Sequence, residues 1–141
     1  MAEKGIVLGA GESGIGTAIL AKRQGFEVFV SDRNPLSPTA KATLQEYAIG
    51  WEENQHDIEQ MKGAQWAMKS PGIPNDAPIV ARLEAHDIPI VSELEFAAQY
   101  TDALLIGITG SNGKTTTTLL LSLIHISSPR DLSTSRMPSS A

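Results

Sequence analysis

Lys114 stands alone among small residues in GITGSNGKTTTT, which occupies positions 107–118. A phosphate-binding loop needs backbone N–H groups curled around an anion, a lysine reaching the β and γ phosphates, and a following hydroxyl for Mg²⁺. Gly110, Gly113, Lys114 and Thr115 stand where those roles require. The strict spacing GxxxxGK[ST] would place glycine at position 108, where this chain has Ile108, so the match is to the variant TGxNGK[ST]. A surface turn with a solvated lysine is the plain alternative. A second cluster, GAGESG, sets Gly9, Gly11 and Gly14 in the spacing GxGxxG, and Asp32 follows about 20 residues later. Glycines there let backbone N–H groups face a diphosphate at a helix N-terminus, and Asp32 can accept from a ribose hydroxyl or a base N–H. Glycines that only permit a tight turn and close helix packing are the alternative.

Both clusters need a strand before them and a helix after them, and the surrounding pattern supplies these. Gly5–Leu8 is a short β-branched run ending at Gly9. Ile15, Ala18 and Ile19 then recur at helical spacing until Gly25. Glu27–Ser31 reads as a strand, Thr39–Ala48 as a helix, and Gln65–Lys69 as a strand. Three prolines and a glycine make Ser70–Pro78 a loop. Ile79–Ala85 reads as a helix and Ile88–Val91 as a strand. Ser92 with Glu95 forms a capping-box signature that opens a helix through Tyr100. Ala103–Ile108 reads as the strand feeding the lysine loop, and Thr116–Thr118 open the helix after it. Alternating strands and helices with short connections predict an α/β fold, a parallel sheet covered on both faces.

Composition narrows the function classes. The 141 residues are 41% apolar, enough for one sizeable core, and carry a net charge of −5 with no dense basic run, so a nucleic-acid partner is not supported. Absence of cysteine excludes disulfides and thiolate metal sites and fits a reducing cytoplasmic setting. No stretch approaches the roughly 18 continuous apolar residues of a membrane span, and the N-terminus has no signal-peptide pattern. His56, His86 and His125 lack a second ligand at metal spacing and read as packing or solvent-facing residues. Trp51 and Trp66 read as core or rim residues. The cap accounts for Glu95 and solvent for Glu93.

TGSNGKTT after an apolar strand, preceded by SPGIP and IPIVSELEFA and headed by GAGESGIGTA, resembles the Mur ligase family over about Gly5 to Leu121. The first turn lacks the histidine-containing, glycine-richer form of the branch that adds L-alanine, which points to the branch that adds D-glutamate. The resemblance implies a Rossmann-like doubly wound sheet over residues 1–101, which holds UDP. It further implies the first strand, phosphate loop and helix of an ATPase domain over 102–121. Its activity is ATP-dependent amide formation: the carboxylate of UDP-N-acetylmuramoyl-L-alanine is phosphorylated and the amine of D-glutamate attacks the acyl phosphate. By residue match, the backbone of Gly110, Ser111, Asn112 and Gly113 would cradle ATP. Lys114 would bridge its β and γ phosphates as the catalytic lysine, Thr115 would hold Mg²⁺, and Thr116 would lie near phosphate. Gly11, Glu12 and Ser13 would meet the UDP diphosphate, Asp32 and Arg33 would border uracil and ribose, and Gly72 would close that pocket.

The family's remaining Mg²⁺ ligands and its D-glutamate domain do not fit in this length, so a monomeric fragment inactive on its own is expected. From residue 122 the apolar periodicity fades into serine, proline and arginine, which predicts a disordered, non-family tail over 122–141. Such a break would leave Leu119–Leu121, Leu123 and Ile124 as an uncovered apolar face. Three other readings stay open: an NAD-type dinucleotide-binding domain using Gly9, Gly11, Gly14 and Asp32, another Mur ligase, and a sheet domain without a competent site.

Overall fold

The first strand, β1 (Lys4–Leu8), lies at the centre of the sheet, because it pairs in parallel with β2 (Glu27–Ser31) on one side and β4 (Trp66–Lys69) on the other. A computed structural model describes residues 2–127, with side chains to Leu123. Its strand order is β3-β2-β1-β4-β5, all parallel, with β3 (Gly50–Glu52) and β5 (Ile90–Ser92) at the edges. The chain winds outward from β1 to β3, then returns to the other side of β1. The sheet therefore has a switch point between β1 and β4.

Side-chain alternation along the strands feeds two cores. Val7, Val28, Val30 and Met68 pack on one face with Ala18 and Ala21 of α1 (Glu12–Arg23), Ala40 and Leu44 of α2 (Pro38–Glu46), and Phe96 of α5 (Glu93–Ala98). Ile6, Leu8 and Ala67 pack on the other with Met61 of α3 (Ile58–Met61) and Ile79 and Leu83 of α4 (Pro78–Glu84). Both faces are covered, so Ile6, Val7 and Leu8 are all fully buried, as a near-continuous apolar central strand should be. Each large side chain buried this way is worth about 1.5–3 kcal/mol.

The local signals for the caps act as their chemistry requires. Ser92 Oγ accepts the Glu95 N–H at 3.2 Å while Glu95 Oε2 accepts the Ser92 N–H at 2.7 Å, and these bonds hold the Glu95 carboxyl below its ordinary value. Ser37 and Asp57 cap α2 and α3 more simply, each side chain accepting one backbone N–H, from Ala40 and Glu59. β3 and α3 are the two elements absent from the sequence reading. They are three and four residues long, too short for either period to register.

The chain divides into two units, one ending at Asp102 and one starting at Ala103. In the second, α6 (Lys114–Ser127) forms, but the strand expected over Ala103–Ile108 does not. A strand is a shared hydrogen-bond ladder, and the five-stranded sheet includes no strand from this segment. α6 runs into the first residues of the expected tail, to Ser127, without an interrupting proline or glycine. The remainder of that tail lies outside the described residues. Leu119, Leu120, Leu121 and Leu123 on α6 are exposed. No helix among the described residues is long and apolar enough to cross a membrane.

One pair of glycine substitutions tests the packing of α1. A Cβ on Gly14 would lie 1.9 Å from the Gly9 carbonyl oxygen, whereas one on Gly16, two residues along, meets nothing within 4 Å. Gly14→Ala should destabilise the domain by about 3 kcal/mol in urea denaturation. Gly16→Ala should stabilise it by about 0.5–1 kcal/mol, since alanine is the better helix former. Equal effects at the two sites would contradict the close-approach account.

Candidate functional site

Three loops meet at the carboxyl ends of β1, β2 and β4, and hydrogen bonds tie the first to each of the other two. Gly9, with φ of +97°, turns the chain out of β1 and donates its N–H to the Ser31 carbonyl at 2.9 Å. Ala10 N–H then donates to Asp32 Oδ2 at 2.7 Å, and Asn34 N–H donates to Asp32 Oδ1 at 2.8 Å. One carboxylate therefore joins the first glycine turn to the loop after β2. On the other side, Ser70 N–H donates to the Leu8 carbonyl at 3.1 Å, and Lys69 Nζ donates to the Ile73 carbonyl at 2.6 Å, which folds the SPGIP loop back on itself.

Between these loops lies a cleft of about 640 Å³. Gly11, Asp32, Arg33 and Gly72 line it, so the structure brings these four sequence-predicted residues together. Glu12 and Ser13 are not lining residues; they form the first turn of α1 immediately after Gly11. Gly11 is the extended N-cap of that helix and offers no side chain to its free N–H groups. No protein atom lies within 4 Å of where a Gly11 Cβ would be. The N-terminus of α1 is thus open, with its partial positive charge unopposed by a cap.

The structure reassigns part of the role expected of Asp32. Both of its oxygens already hold backbone N–H groups, so it fixes the turn before it meets any ligand. Arg82, Asn54 and His56 are among the lining residues missed in the sequence. Arg82 reaches the cleft from α4, and Asn54 and His56 reach it from the segment after β3. Asn54 and His56 share one cause, the unrecognised β3, without which nothing in the sequence placed the 53–57 segment beside the first glycine turn. His56 is half-buried, lining the cleft with its ring hydrogen-bonded to Ser31. Burial is the main influence lowering its pKa, opposed by the charges of Glu52 and Asp32 and reinforced by Arg33 and Arg82.

The lysine loop belongs to the second unit. Gly110 and Gly113 have φ of +148° and +79°, and the Lys114 ammonium donates to the Gly110 carbonyl, so the lysine lies folded over its own loop. Thr117 and Thr118 spend their hydroxyls on the carbonyls of Gly113 and Lys114, each at 2.9 Å. Thr115 and Thr116 hydroxyls make no hydrogen bond among the described residues, and Ser111 and Asn112 are exposed beside them. No group of three His, Asp or Glu side chains among the described residues could hold a metal by itself.

Residues 3–92 match the family described as Mur ligase MurD-like, N-terminal domain. The chain belongs to this Mur ligase family. The UDP-N-acetylmuramoylalanine--D-glutamate ligase of Bacteroides fragilis is 56% identical over 116 residues, which cover 82% of this chain and 26% of the relative. The enzyme of the same name from Bacteroides thetaiotaomicron is 53% identical over 127 residues, covering 90% of this chain and 28% of the relative. The chain thus spans about a quarter of the length of these curated relatives. Among solved structures, a pseudomurein peptide ligase type C from Methanothermus fervidus matches with a TM-score of 0.62 at 26% identity, over 86% of this chain and 25% of that one. The Mur ligase resemblance and the α/β class drawn from the sequence both hold, and the D-glutamate branch is the one these relatives bear in their names.

Asp32 supplies the test of the site's architecture. Asp32→Asn keeps one acceptor but turns an amide N–H₂ toward the other backbone N–H. Urea denaturation should show a loss of about 1–3 kcal/mol, against a change within about 0.5 kcal/mol for Arg33→Ala on the exposed side of the same loop. Equal, small effects would mean the carboxylate is not what ties the turn.

Proposed function

We propose that this chain supplies the uridine-diphosphate-binding domain and the first part of the ATP site of a ligase that joins D-glutamate to UDP-N-acetylmuramoyl-L-alanine. The observation that carries this reading is the open N-terminus of α1 at the sheet's switch point, where ligands of doubly wound sheets bind. Gly11 leaves space for a diphosphate to come against the free N–H groups of Glu12 and Ser13, and no side-chain cap competes for them. Arg33 and Arg82 add positive charge along the cleft of a chain whose net charge is −5. Asp32, immobilised by Ala10 and Asn34, borders the nucleoside with Arg33, and Gly72 closes the pocket.

In the second unit, the residues present fit a nucleoside triphosphate. Glycines at positive φ on both sides of Ser111 and Asn112 permit a curled backbone, and the Lys114 ammonium is held at that curl by the Gly110 carbonyl. On binding, Lys114 would exchange the Gly110 carbonyl for the β and γ phosphates, a charge-assisted bond in place of a neutral one. Thr115 is free to orient a ligated cation, and Thr116 to donate to phosphate. ATP with Mg²⁺ supplies the phosphoryl group that activates the substrate carboxylate, which places the reaction in the cytoplasm as a step of peptidoglycan precursor synthesis. The chain is read as a monomer, with no nucleic acid or membrane partner.

Titration calorimetry of the full chain with UDP-N-acetylmuramoyl-L-alanine and with NAD tests this assignment. Saturable binding of the uridine ligand, at least tenfold tighter than NAD, is expected. Gly11→Val should change the unfolding free energy by no more than about 1 kcal/mol, since no protein atom lies within 4 Å of the added Cβ, while weakening the uridine ligand at least tenfold. NAD binding without a response to the uridine ligand would overturn the reading.

A further inference from the structure

Ser31 is fully buried at the end of β2, and its hydroxyl lies 2.7 Å from Glu52 Oε1 and 2.7 Å from His56 Nδ1. Glu52 is itself fixed, since Oε1 also accepts the Asp57 N–H at 2.9 Å and Oε2 accepts the Gln55 side-chain amide at 3.1 Å. The hydroxyl has one proton for two close partners. A carboxylate can only accept, so a proton sent to His56 would leave two oxygens 2.7 Å apart with nothing between them. The proton therefore goes to Glu52, and His56 must bring its own N–H to Ser31 through Nδ1. This fixes the neutral ring's tautomer and leaves Nε2 as a lone-pair acceptor. Nε2 has no hydrogen-bond partner among the described residues, and the ring lines the cleft.

We propose that His56 is a specificity-determining residue of this cleft, whose Nε2 accepts a hydrogen bond from a neutral donor of the bound nucleoside, an imide N–H or a sugar hydroxyl. The inference rests on the nucleotide reading of the cleft and assigns it a group that the sequence did not. An imidazole held this way recognises a donor and is lost as an acceptor on protonation, so acid weakens binding. The charges facing the ring are Glu52 and Asp32, which favour its protonation, and Arg33 and Arg82, which oppose it. Burial opposes it further and keeps the ring neutral at pH 7. The sign follows: affinity is full above about pH 6.5, the ordinary histidine value, and falls as pH drops through the lowered pKa of the folded protein. An imidazolium gripping the diphosphate would give the opposite slope.

The experiment uses the full chain and UDP-N-acetylmuramoyl-L-alanine, whose diphosphate is esterified at both ends and keeps its charge over the range tested. Affinity should fall about tenfold between about pH 8 and pH 5, the worth of one hydrogen bond. His56→Phe should bind about tenfold more weakly at pH 8. His56→Gln, which carries an acceptor that does not titrate, should recover most of that affinity and flatten the pH profile. N3-methyl and 2′-deoxy analogues of UDP separate the two donors, since only the one that meets Nε2 loses its discrimination in His56→Phe. Imidazole ¹⁵N shifts of the free chain should show a pyrrole-type Nδ1 and a pyridine-type Nε2. A proton on Nε2, affinity that rises in acid, or unchanged profiles in both variants would overturn the role of His56 while leaving uridine binding intact. Failure of the unaltered chain to bind the ligand at any pH would overturn the nucleotide reading, and this inference with it.

Discussion

The space between Gly14 and the Gly9 carbonyl governs this fold, because α1 can rest on the end of β1 only where no side chain intervenes. That approach brings the helix N-terminus to the edge of the sheet and lets Ala10 present its N–H to Asp32. The loop after β2 is then drawn to the same point through Asn34, and the loop after β4 through the bond from Ser70 to Leu8. A cleft with fixed walls follows from a contact that only a hydrogen atom in place of Cβ allows.

The polar chemistry of the cleft is arranged so that few of its charges are free. Asp32 is consumed by backbone N–H groups, and Glu52 is held by Ser31, Asp57 and Gln55. Both carboxylates keep their charge but turn their oxygens to these donors, while Arg33, Arg82 and the uncapped helix end attract an anionic ligand. An acidic chain can thus present a locally favourable surface to a diphosphate. His56 extends the same logic to a neutral group, its donor nitrogen fixed by the protein and its acceptor nitrogen left open.

Much of this was legible in the residues, for reasons that separate the successes from the failures. The strands β1, β2 and β4 are apolar and flanked by turn residues, and the Ser92–Glu95 cap carries its own signature, so these elements stood out. The GxGxxG spacing located the cleft because its glycines answer a steric need at one place. β3 escaped because it is a three-residue edge strand containing a glycine and a glutamate, and with it went His56 and Asn54. Arg82 gave no sign, since an arginine on a short helix looks solvated until the helix is placed. The segment 103–108 reads as a strand by residue type, yet strand formation depends on a partner that no local pattern supplies.

Backbone amide shifts of the ¹⁵N-labelled chain, followed as UDP is added, test the central claim most directly. The account predicts the largest changes at Gly11, Glu12 and Ser13, with further changes at Asp32 and Gly72 and little at the Trp66, Phe96 and Tyr100 end of the sheet. Changes concentrated at that opposite end, with the first turn of α1 unmoved, would contradict it.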